Sequence, residues 1–334
     1  MRTSVNHSVV DSIESLVGST PLLRLRLDRL AADLCADGAR ASGCADVELL
    51  AKLESANPLS SVKDRAALYM LRSAEERGEI RPGGTVIEAT SGNTGISLAA
   101  FAASRGYRCL IVLPEGATAE RAALLGAFGA ELVRTPREDG YPGALAKAEE
   151  LHAAMPGSWF TRQHENRDNA RAHYETTGPE IWEATGGRID VLVCGVGTGG
   201  TLSGTAAYLK ERDPAIRVVA VEPEKSPVLS QGTGGLHRIP GLNGGFVAPV
   251  TDVSLIDVVV TVSDEDAWRT ARRLARGQGV LAGISAGAAV HACTQLAAKP
   301  EYAGTTMVTV LPDTGERYLS LWAPSDTEGR VTWQ

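Results

Sequence analysis

Short apolar runs alternate with helical patterns along most of this chain of 334 residues, and this alternation limits the possible folds more than any other feature. Apolar stretches bounded by glycine, proline and polar turn residues predict β-strands at residues 47–52, 85–88, 109–113, 131–134, 191–194, 218–221, 257–262 and 307–311. Apolar residues spaced along one face predict α-helices at residues 62–76, 94–104, 119–128, 143–154, 170–184, 202–212, 264–276 and 286–297. This βαβα order predicts an α/β protein whose mostly parallel sheet is covered by helices on both faces.

Two such sheets fit the chain better than one. The first block of alternation runs from about Glu54 to Gln163, and a polar stretch at residues 162–171 separates it from a second block that begins near Ala172. Because no long low-complexity linker joins the blocks, we expect two doubly wound domains packed closely around a cleft, where α/β proteins of this class bind ligands.

Charge, apolar runs and cysteine spacing argue against several classes of function. Lysine and arginine total 33 against 40 acidic residues, and no basic run stands out, so nucleic-acid binding is not expected. The apolar runs are strand-sized and the N-terminal segment lacks the pattern of a signal peptide, so we expect a cytoplasmic protein without membrane contact. The five cysteines have no C-x-x-C spacing, so neither a disulfide framework nor a metal site is expected.

Lys63 is the most informative single residue. It follows Ser60 and Ser61 at the predicted start of a helix, where the positive end of the helix dipole disfavours a cation. At helical spacing it shares an apolar face with Met70 and Leu71. Two interpretations stay open at this point. The stem covers apolar surface while the ammonium reaches water, or a desolvated amine with a lowered pKa acts as a Schiff-base nucleophile.

Three turns at predicted helix starts carry further candidate chemistry. The segment Thr90-Ser91-Gly92-Asn93-Thr94-Gly95 suits a carboxylate, although a capped turn also explains it. The segment Gly195-Val196-Gly197-Thr198-Gly199-Gly200-Thr201 fits G-x-G-x-x-G, and Glu222 follows where a ribose-binding acid is expected. A dinucleotide and a compact phosphate monoester therefore both fit this turn. Ser285 is either a helix cap or a hydroxyl that faces an aromatic nitrogen.

Taken together, these segments resemble the cysteine synthase (O-acetylserine sulfhydrylase) family of pyridoxal-phosphate enzymes, which have the tryptophan-synthase-β fold, fold type II. The resemblance covers nearly the whole chain. The matching motifs are residues 17–22, 52–54, 57–58, 61–65, 90–95, Gln163, 176–182, 197–201, 221–223, 226–229, 283–287 and 315–320. It implies two α/β domains with the active site between them: a smaller one at residues 54–165, and a larger one formed by residues 1–53 plus 166–334.

The resemblance also implies a role for each candidate residue. Lys63 would carry pyridoxal phosphate and take the α-proton, and Ser285 would face the ring nitrogen without keeping it protonated, which favours β-elimination. The cofactor would be held by Lys63, Asn93, Gly197, Thr198, Gly199, Gly200, Thr201 and Ser285. The substrate carboxylate would be held by Thr90, Ser91, Thr94 and Gln163. Glu222 would then be structural.

The implied reaction is β-replacement on an O-activated L-serine, either O-acetyl- or O-phosphoserine, by a sulfur nucleophile. It would pass through an aminoacrylate and give L-cysteine or a cysteine derivative. A homodimer and a serine acetyltransferase partner are implied as well. The alternatives are a different nucleophile in specialised metabolism, a serine or threonine ammonia-lyase, a nicotinamide oxidoreductase, and an inactive homologue that only binds a partner.

Departures from the family pattern lie around the substrate. Ala117 stands where a methionine is usual, Asn243 stands in a loop that usually has glycine, and His164 follows Gln163 where phenylalanine is usual. We expect Ala117 and Asn243 to make the pocket wider and more polar. The predicted consequence is a larger or more polar nucleophile or leaving group, such as thiosulfate or phosphate.

Overall fold

The computed structural model describes residues 9–30, 47–90, 92–115 and 118–322. Its strands are β1 (Leu22–Leu25), β2 (Glu48–Leu53), β3 (Thr85–Ala89), β4 (Arg108–Pro114), β5 (Glu131–Thr135), β6 (Ser158–Phe160), β7 (Val191–Gly195), β8 (Arg217–Pro223), β9 (Val258–Val262) and β10 (Thr306–Leu311). Its α-helices are α1 (Leu27–Leu30), α2 (Lys63–Glu76), α3 (Asn93–Arg105), α4 (Ala119–Ala127), α5 (Gly140–Ala154), α6 (Asp168–Ala172), α7 (Gly178–Thr185), α8 (Gly200–Arg212), α9 (Asp264–Gln278), α10 (Ile284–Ala297) and α11 (Leu319–Trp322). Short 3₁₀ turns lie at Ile13–Leu16, Glu54–Ala56, Arg137–Asp139, Val253–Leu255, Pro300–Tyr302 and Gly315–Tyr318.

The strands form two sheets, as the alternation predicts. One has the order β1-β2-β10-β7-β8-β9, in which only the β1–β2 pair is antiparallel. The other has the order β5-β4-β3-β6 and is parallel throughout. The buried apolar clusters contain residues of helices as well as strands, which is the packing expected of helices laid on parallel sheets. The α/β fold with two mostly parallel sheets is thus confirmed, and the domain boundaries at residues 54–165 stay a prediction.

The predicted helix at residues 170–184 is wrong in one respect, because it is not a continuous α-helix. A π-helical turn at His173–Thr177 separates α6 from α7. The Nδ1 atom of His173 lies 2.8 Å from Thr177 Oγ1, within the turn, and Gly178 packs so closely on Tyr208 that a Cβ there would lie 2.7 Å from the Tyr208 Cβ. The turn also places His173 Nε2 3.2 Å from the Thr201 hydroxyl, so it reaches one of the candidate site segments.

A buried group of ion pairs fixes the first turns of α2. Arg65 donates to Glu54 through Nε (2.7 Å) and to Glu180 through Nη1 (2.6 Å), and Lys52 pairs with Glu180 at 2.6 Å. Thr20 joins them by donating its hydroxyl to Glu54 at 2.7 Å. We call these five residues the Arg65 cluster. The motifs 17–22, 52–54 and 176–182 therefore meet behind the helix that begins with Lys63.

Two further observations concern classes that the sequence argues against. No helix in the described part of the chain is long and apolar enough to cross a membrane. Cys109, Cys194 and Cys293 are buried free thiols, while Cys35 and Cys44 lie outside the described residues.

Candidate active site

Two adjoining cavities collect most of the candidate residues. We call them the glycine-loop cavity, which Ser285 and the 197–201 turn line, and the Gln163 cavity, which Thr90, Thr94 and Gln163 line. Residues common to both are Lys63, Asn93, Gly197, Thr198, Gly241 and Leu242. The lining segments follow strands of both sheets, so the cavities lie where elements of the two sheets meet.

Lys63 is the first residue of α2 and lines both cavities. The preceding turn is anchored to the end of β10, because the Val62 N–H donates to Pro312 O at 2.8 Å. Among the described residues, the Lys63 ammonium has neither a hydrogen bond nor an ion pair. Burial lowers the pKa of Lys63, and the charge of Asp313 opposes this only in part. The geometry therefore favours a desolvated amine over a lysine that reaches water.

The glycine turn between β7 and α8 is built to approach a ligand with its backbone. A Cβ at Gly197 would overlap Gly241 O, and one at Gly200 would overlap the Asn169 amide. The N–H groups of Gly197, Thr198 and Gly199 make no hydrogen bond within the described residues. Helix α8 begins without a side-chain cap or an acidic residue in its first turn. Free amides at a helix start form an anion site, and the close packing fits a compact phosphate.

Glu222 is committed to the protein itself. Its carboxylate accepts hydrogen bonds from the N–H groups of Leu229 (2.7 Å) and Ser230 (3.0 Å) and from the Ser230 hydroxyl (2.5 Å). A ribose would have to displace these contacts, so the geometry favours the structural role and not the dinucleotide interpretation.

The Thr90 turn and Gln163 face the second cavity. Thr94 donates its hydroxyl to Gln163 Oε1 at 2.6 Å, which fixes the orientation of the Gln163 amide at the cavity wall. The Gln163 N–H donates to Glu88, a buried carboxyl at the end of β3, and burial raises the pKa of Glu88 to about 8. Thr90 is buried and accepts the Gly92 N–H at 3.1 Å. Ser91 lies outside the described residues.

Asn93 and Ser285 differ in how strongly they are engaged. The Asn93 amide donates to Asp313 at 2.7 Å and accepts from Arg317 at 2.6 Å, so its orientation is fixed. Ser285 is the second residue of α10, whose N-cap is Gly283, and it is therefore not the cap. Among the described residues its hydroxyl has no hydrogen-bond partner, and it lines the glycine-loop cavity.

The sequence reasoning missed Asp313 and Tyr318. Asp313 follows β10, accepts from Tyr318 at 2.5 Å and from Asn93, and leaves its buried Oδ1 without a partner. Its position at the carboxyl end of a strand was a usable signal, because the residues of the glycine turn occupy the same edge of this sheet. Arg121 and Tyr141, which also line the Gln163 cavity, have no comparable signal.

The amide of Asn243 is engaged within its own loop, so its expected role in the substrate pocket stays a prediction that these contacts do not support. Its Oδ1 accepts the Ser226 hydroxyl (2.8 Å) and the Gly245 N–H (3.1 Å), and its Nδ2 donates to Ser226 O (3.1 Å). It lines neither cavity, because its amide is used to hold its own loop. Ala117, the other departure, lies outside the described residues.

Relatives of known activity cover nearly the whole chain. A cysteine synthase from Staphylococcus aureus (strain Mu50) is 45% identical over 314 residues, which is 93% of this chain and 96% of that protein. The crystal structure of a cysteine synthase from Entamoeba histolytica is 37% identical with a TM-score of 0.89, over 96% of this chain and 92% of that one. The crystal structure of O-ureido-L-serine synthase is 41% identical with a TM-score of 0.86, over 94% of each chain.

The family model of pyridoxal-phosphate dependent enzymes matches residues 13–313. The residues present fit that cofactor: the glycine turn offers free amides to a phosphate, Lys63 offers an unpaired amine, and Ser285 offers a free hydroxyl within the same cavity. The chain therefore belongs to the pyridoxal-phosphate dependent enzymes and, through its relatives, to the cysteine synthase family.

Proposed function

We propose that this protein catalyses β-replacement on an O-activated L-serine, O-acetyl- or O-phosphoserine, by a sulfur nucleophile, giving L-cysteine or a cysteine derivative. The observation that carries the proposal is the unpaired Lys63 amine. It lines both the glycine-loop cavity, with its phosphate-sized nest of amides, and the Gln163 cavity, with its carboxylate-sized group of polar side chains.

The residues of the glycine-loop cavity would hold the cofactor. The Gly197–Thr201 turn would bind its phosphate, Asn93 and Ser285 would contact its ring, and Lys63 would attach it. Pyridoxal phosphate supplies an electron sink for negative charge that develops on the α-carbon of a bound amino acid. Ser285 is a neutral hydroxyl, so it accepts or donates a hydrogen bond at the ring nitrogen without adding a charge.

The Gln163 cavity would orient the amino acid. The Thr90 hydroxyl and the N-terminus of α3 favour a carboxylate. Ser91, Thr94 and Gln163 are proposed to contact the same carboxylate, with the Thr94–Gln163 hydrogen bond rearranging when it binds. With its carboxylate held there, the amino acid would turn its α-carbon toward Lys63, whose amine, with its lowered pKa, would take the α-proton and later return it. The Cβ–O bond breaks with its electrons on the leaving oxygen, and a Cβ–S bond replaces it.

Product identification tests this function. The purified holoenzyme is given O-acetylserine or O-phosphoserine, each with sulfide or with thiosulfate, and the products are identified by mass spectrometry. We expect cysteine from sulfide and the S-sulfonate of cysteine from thiosulfate in at least one pairing. Pyruvate and ammonia as the only products would indicate an ammonia-lyase instead, and no turnover of any pairing would contradict the proposal.

Assembly and location belong to the same proposal. We infer a cytoplasmic homodimer that pairs with a serine acetyltransferase, on the strength of the resemblance alone. Light scattering on the purified protein tests the dimer, with a mass near twice the 35.1 kDa of one chain expected.

A further inference from the structure

Arg121 brings to the Gln163 cavity a positive charge that has no carboxylate partner among the described residues. It lies on α4, is only 8% exposed, and lines the cavity together with Lys63 and Tyr318. No ion pair within the described residues includes it, and its buried Nε has no hydrogen-bond partner. Its guanidinium carbon lies 4.8 Å from the centre of the Tyr318 ring. A buried guanidinium that faces an aromatic ring without a carboxylate is costly to keep, unless an anion completes the site.

The other buried arginines of the described chain show how Arg121 differs. Arg65 donates to two carboxylates in its cluster. Arg317 donates to Asn93 Oδ1 and to the backbone oxygen of Leu59. Arg121 alone among these three is left with an open donor, and it is the one whose side chain lines the substrate cavity.

A polar aromatic pair forms another part of the cavity wall. The Tyr141 hydroxyl lies 2.7 Å from His164 Nδ1, their rings meet edge to face at 4.9 Å, and Phe246 packs against both. Burial, helped by the charge of Lys63, lowers the pKa of His164 to about 4, so its ring is neutral at neutral pH. The pair therefore offers hydrogen bonds without a second charge, where the resembled family has an apolar phenylalanine.

We propose that Arg121, with the Tyr141–His164 pair, forms a subsite for a tetrahedral oxyanion. This inference rests on the proposed β-replacement. The oxyanion enters either on the leaving group, as in O-phosphoserine, or on the nucleophile, as in thiosulfate. A planar guanidinium fork binds two oxygens of one such group. In the first case phosphate leaves with the Cβ–O electron pair, and in the second a thiosulfate sulfur forms the Cβ–S bond while acetate leaves.

Three substrate pairings separate the two sources. The value of kcat/KM is measured for O-acetylserine with sulfide, O-phosphoserine with sulfide, and O-acetylserine with thiosulfate, in the parent, Arg121→Gln and Arg121→Lys holoenzymes. A hydrogen bond to a charged group contributes more than a neutral one. Arg121→Gln should therefore lower kcat/KM roughly 10- to 100-fold more for the pairing that carries the oxyanion than for O-acetylserine with sulfide. Arg121→Lys keeps the positive charge but not the forked guanidinium, so its kcat/KM for the same pairing should fall less. The pairing that suffers identifies which group carries the oxyanion.

Binding and control measurements accompany the kinetics. Inorganic sulfate should inhibit the parent competitively, and more weakly after Arg121→Gln. The control is Arg81→Gln, an exposed arginine outside both cavities, which should change none of these values. His164→Phe should also lower kcat/KM for the oxyanion pairing relative to O-acetylserine with sulfide, by a smaller factor than Arg121→Gln.

The subsite is contradicted if Arg121→Gln lowers all three pairings equally, if it lowers none, or if the parent uses neither oxyanion pairing while it makes cysteine from O-acetylserine and sulfide. These outcomes differ from failure of the proposed function itself, in which the parent makes no cysteine product from any pairing.

Discussion

Lys63 and Arg65 stand two residues apart in the first turn of the same helix, and their surroundings are opposite. Arg65 is fully buried and donates to two glutamates of its cluster, whereas Lys63 faces two cavities and has no partner among the described residues. The paired charges hold α2 against β2 and α7, and the unpaired charge is left for a ligand. A satisfied buried cation indicates structure, and an unsatisfied one indicates chemistry.

The largest expected effect is on activity. Lys63→Ala should lower kcat by at least about a thousandfold, equivalent to about 4 kcal/mol of activation free energy, because the cofactor loses its attachment and the α-proton its base. The apoprotein should keep its thermal midpoint, since the variant removes a desolvated charge that has no partner. A thermal midpoint that falls as far as it does in Arg65 variants would show that Lys63, like Arg65, has a structural role.

Arg65→Leu should act mainly on stability, in contrast to Lys63→Ala. It leaves Glu54 and Glu180 without their main partner, so the free energy of unfolding should fall by about 3–5 kcal/mol. Urea titrations of the purified protein measure this loss. Arg72→Leu, on the same helix but half exposed, serves as the control and should cost under about 1 kcal/mol. Equal losses in the two variants would contradict the special role of the Arg65 cluster.

The pH dependence of stability sharpens the comparison. Burial raises the pKa of Glu180, but hydrogen bonds and charges from Arg65 and Lys52 outweigh it and lower the pKa to about 2 from the ordinary 4.5. Glu180 therefore stabilises the fold above pH 4.5, by about 3 kcal/mol, and this contribution is lost as the pH falls toward 2. In Glu180→Gln the decline of the unfolding free energy over this range should be shallower. Glu183→Gln, an exposed neighbour on α7, should keep the parental slope.

Glu88 should have the smallest effect on stability, and its pH dependence is opposite in sign to that of Glu180. Its carboxyl has a pKa of about 8 in the folded chain, raised by burial, so stability is lost as the pH rises from 4.5 toward 8. Glu88→Gln removes this loss but forfeits one of two acceptors for backbone N–H groups. We expect a net gain of about 1–2 kcal/mol at pH 8 and none at pH 5, measured by urea unfolding. A gain of the same size at both values would refute the titration.

The repeating elements were predictable because each buries a long apolar pattern. The strand β6 was missed because three residues are too few to show a pattern, and it forms only as an edge against β3. The strand β1, with its sequence Leu-Leu-Arg-Leu, lacks the alternation of a half-buried strand, and its pairing with β2 decides its conformation.

The residues of the candidate site also fall into two groups, those that the sequence could identify and those that it could not. Local spacing places Lys63 and the glycine turn at helix starts, so sequence alone was enough to find them. Asp313 carries only the signal of its place after a strand, and its contact with Asn93, 220 residues away, is not visible in the sequence. Arg121 could not be found, because its place in the site depends on the lack of a partner for its Nε among the described residues. The sequence also does not show that the Asn243 amide is used within its own loop.

The most direct test of the contrast between unpaired and paired cations compares two lysines within one molecule. Lys52 is a buried member of the Arg65 cluster and is paired with Glu180, whereas Lys63 has no partner among the described residues. The holoenzyme is reduced with borohydride, digested, and its peptides are mapped by mass spectrometry. We expect a pyridoxyl group on Lys63 and none on Lys52. A label on Lys52 or on another lysine, with Lys63 unmodified, would contradict this expectation.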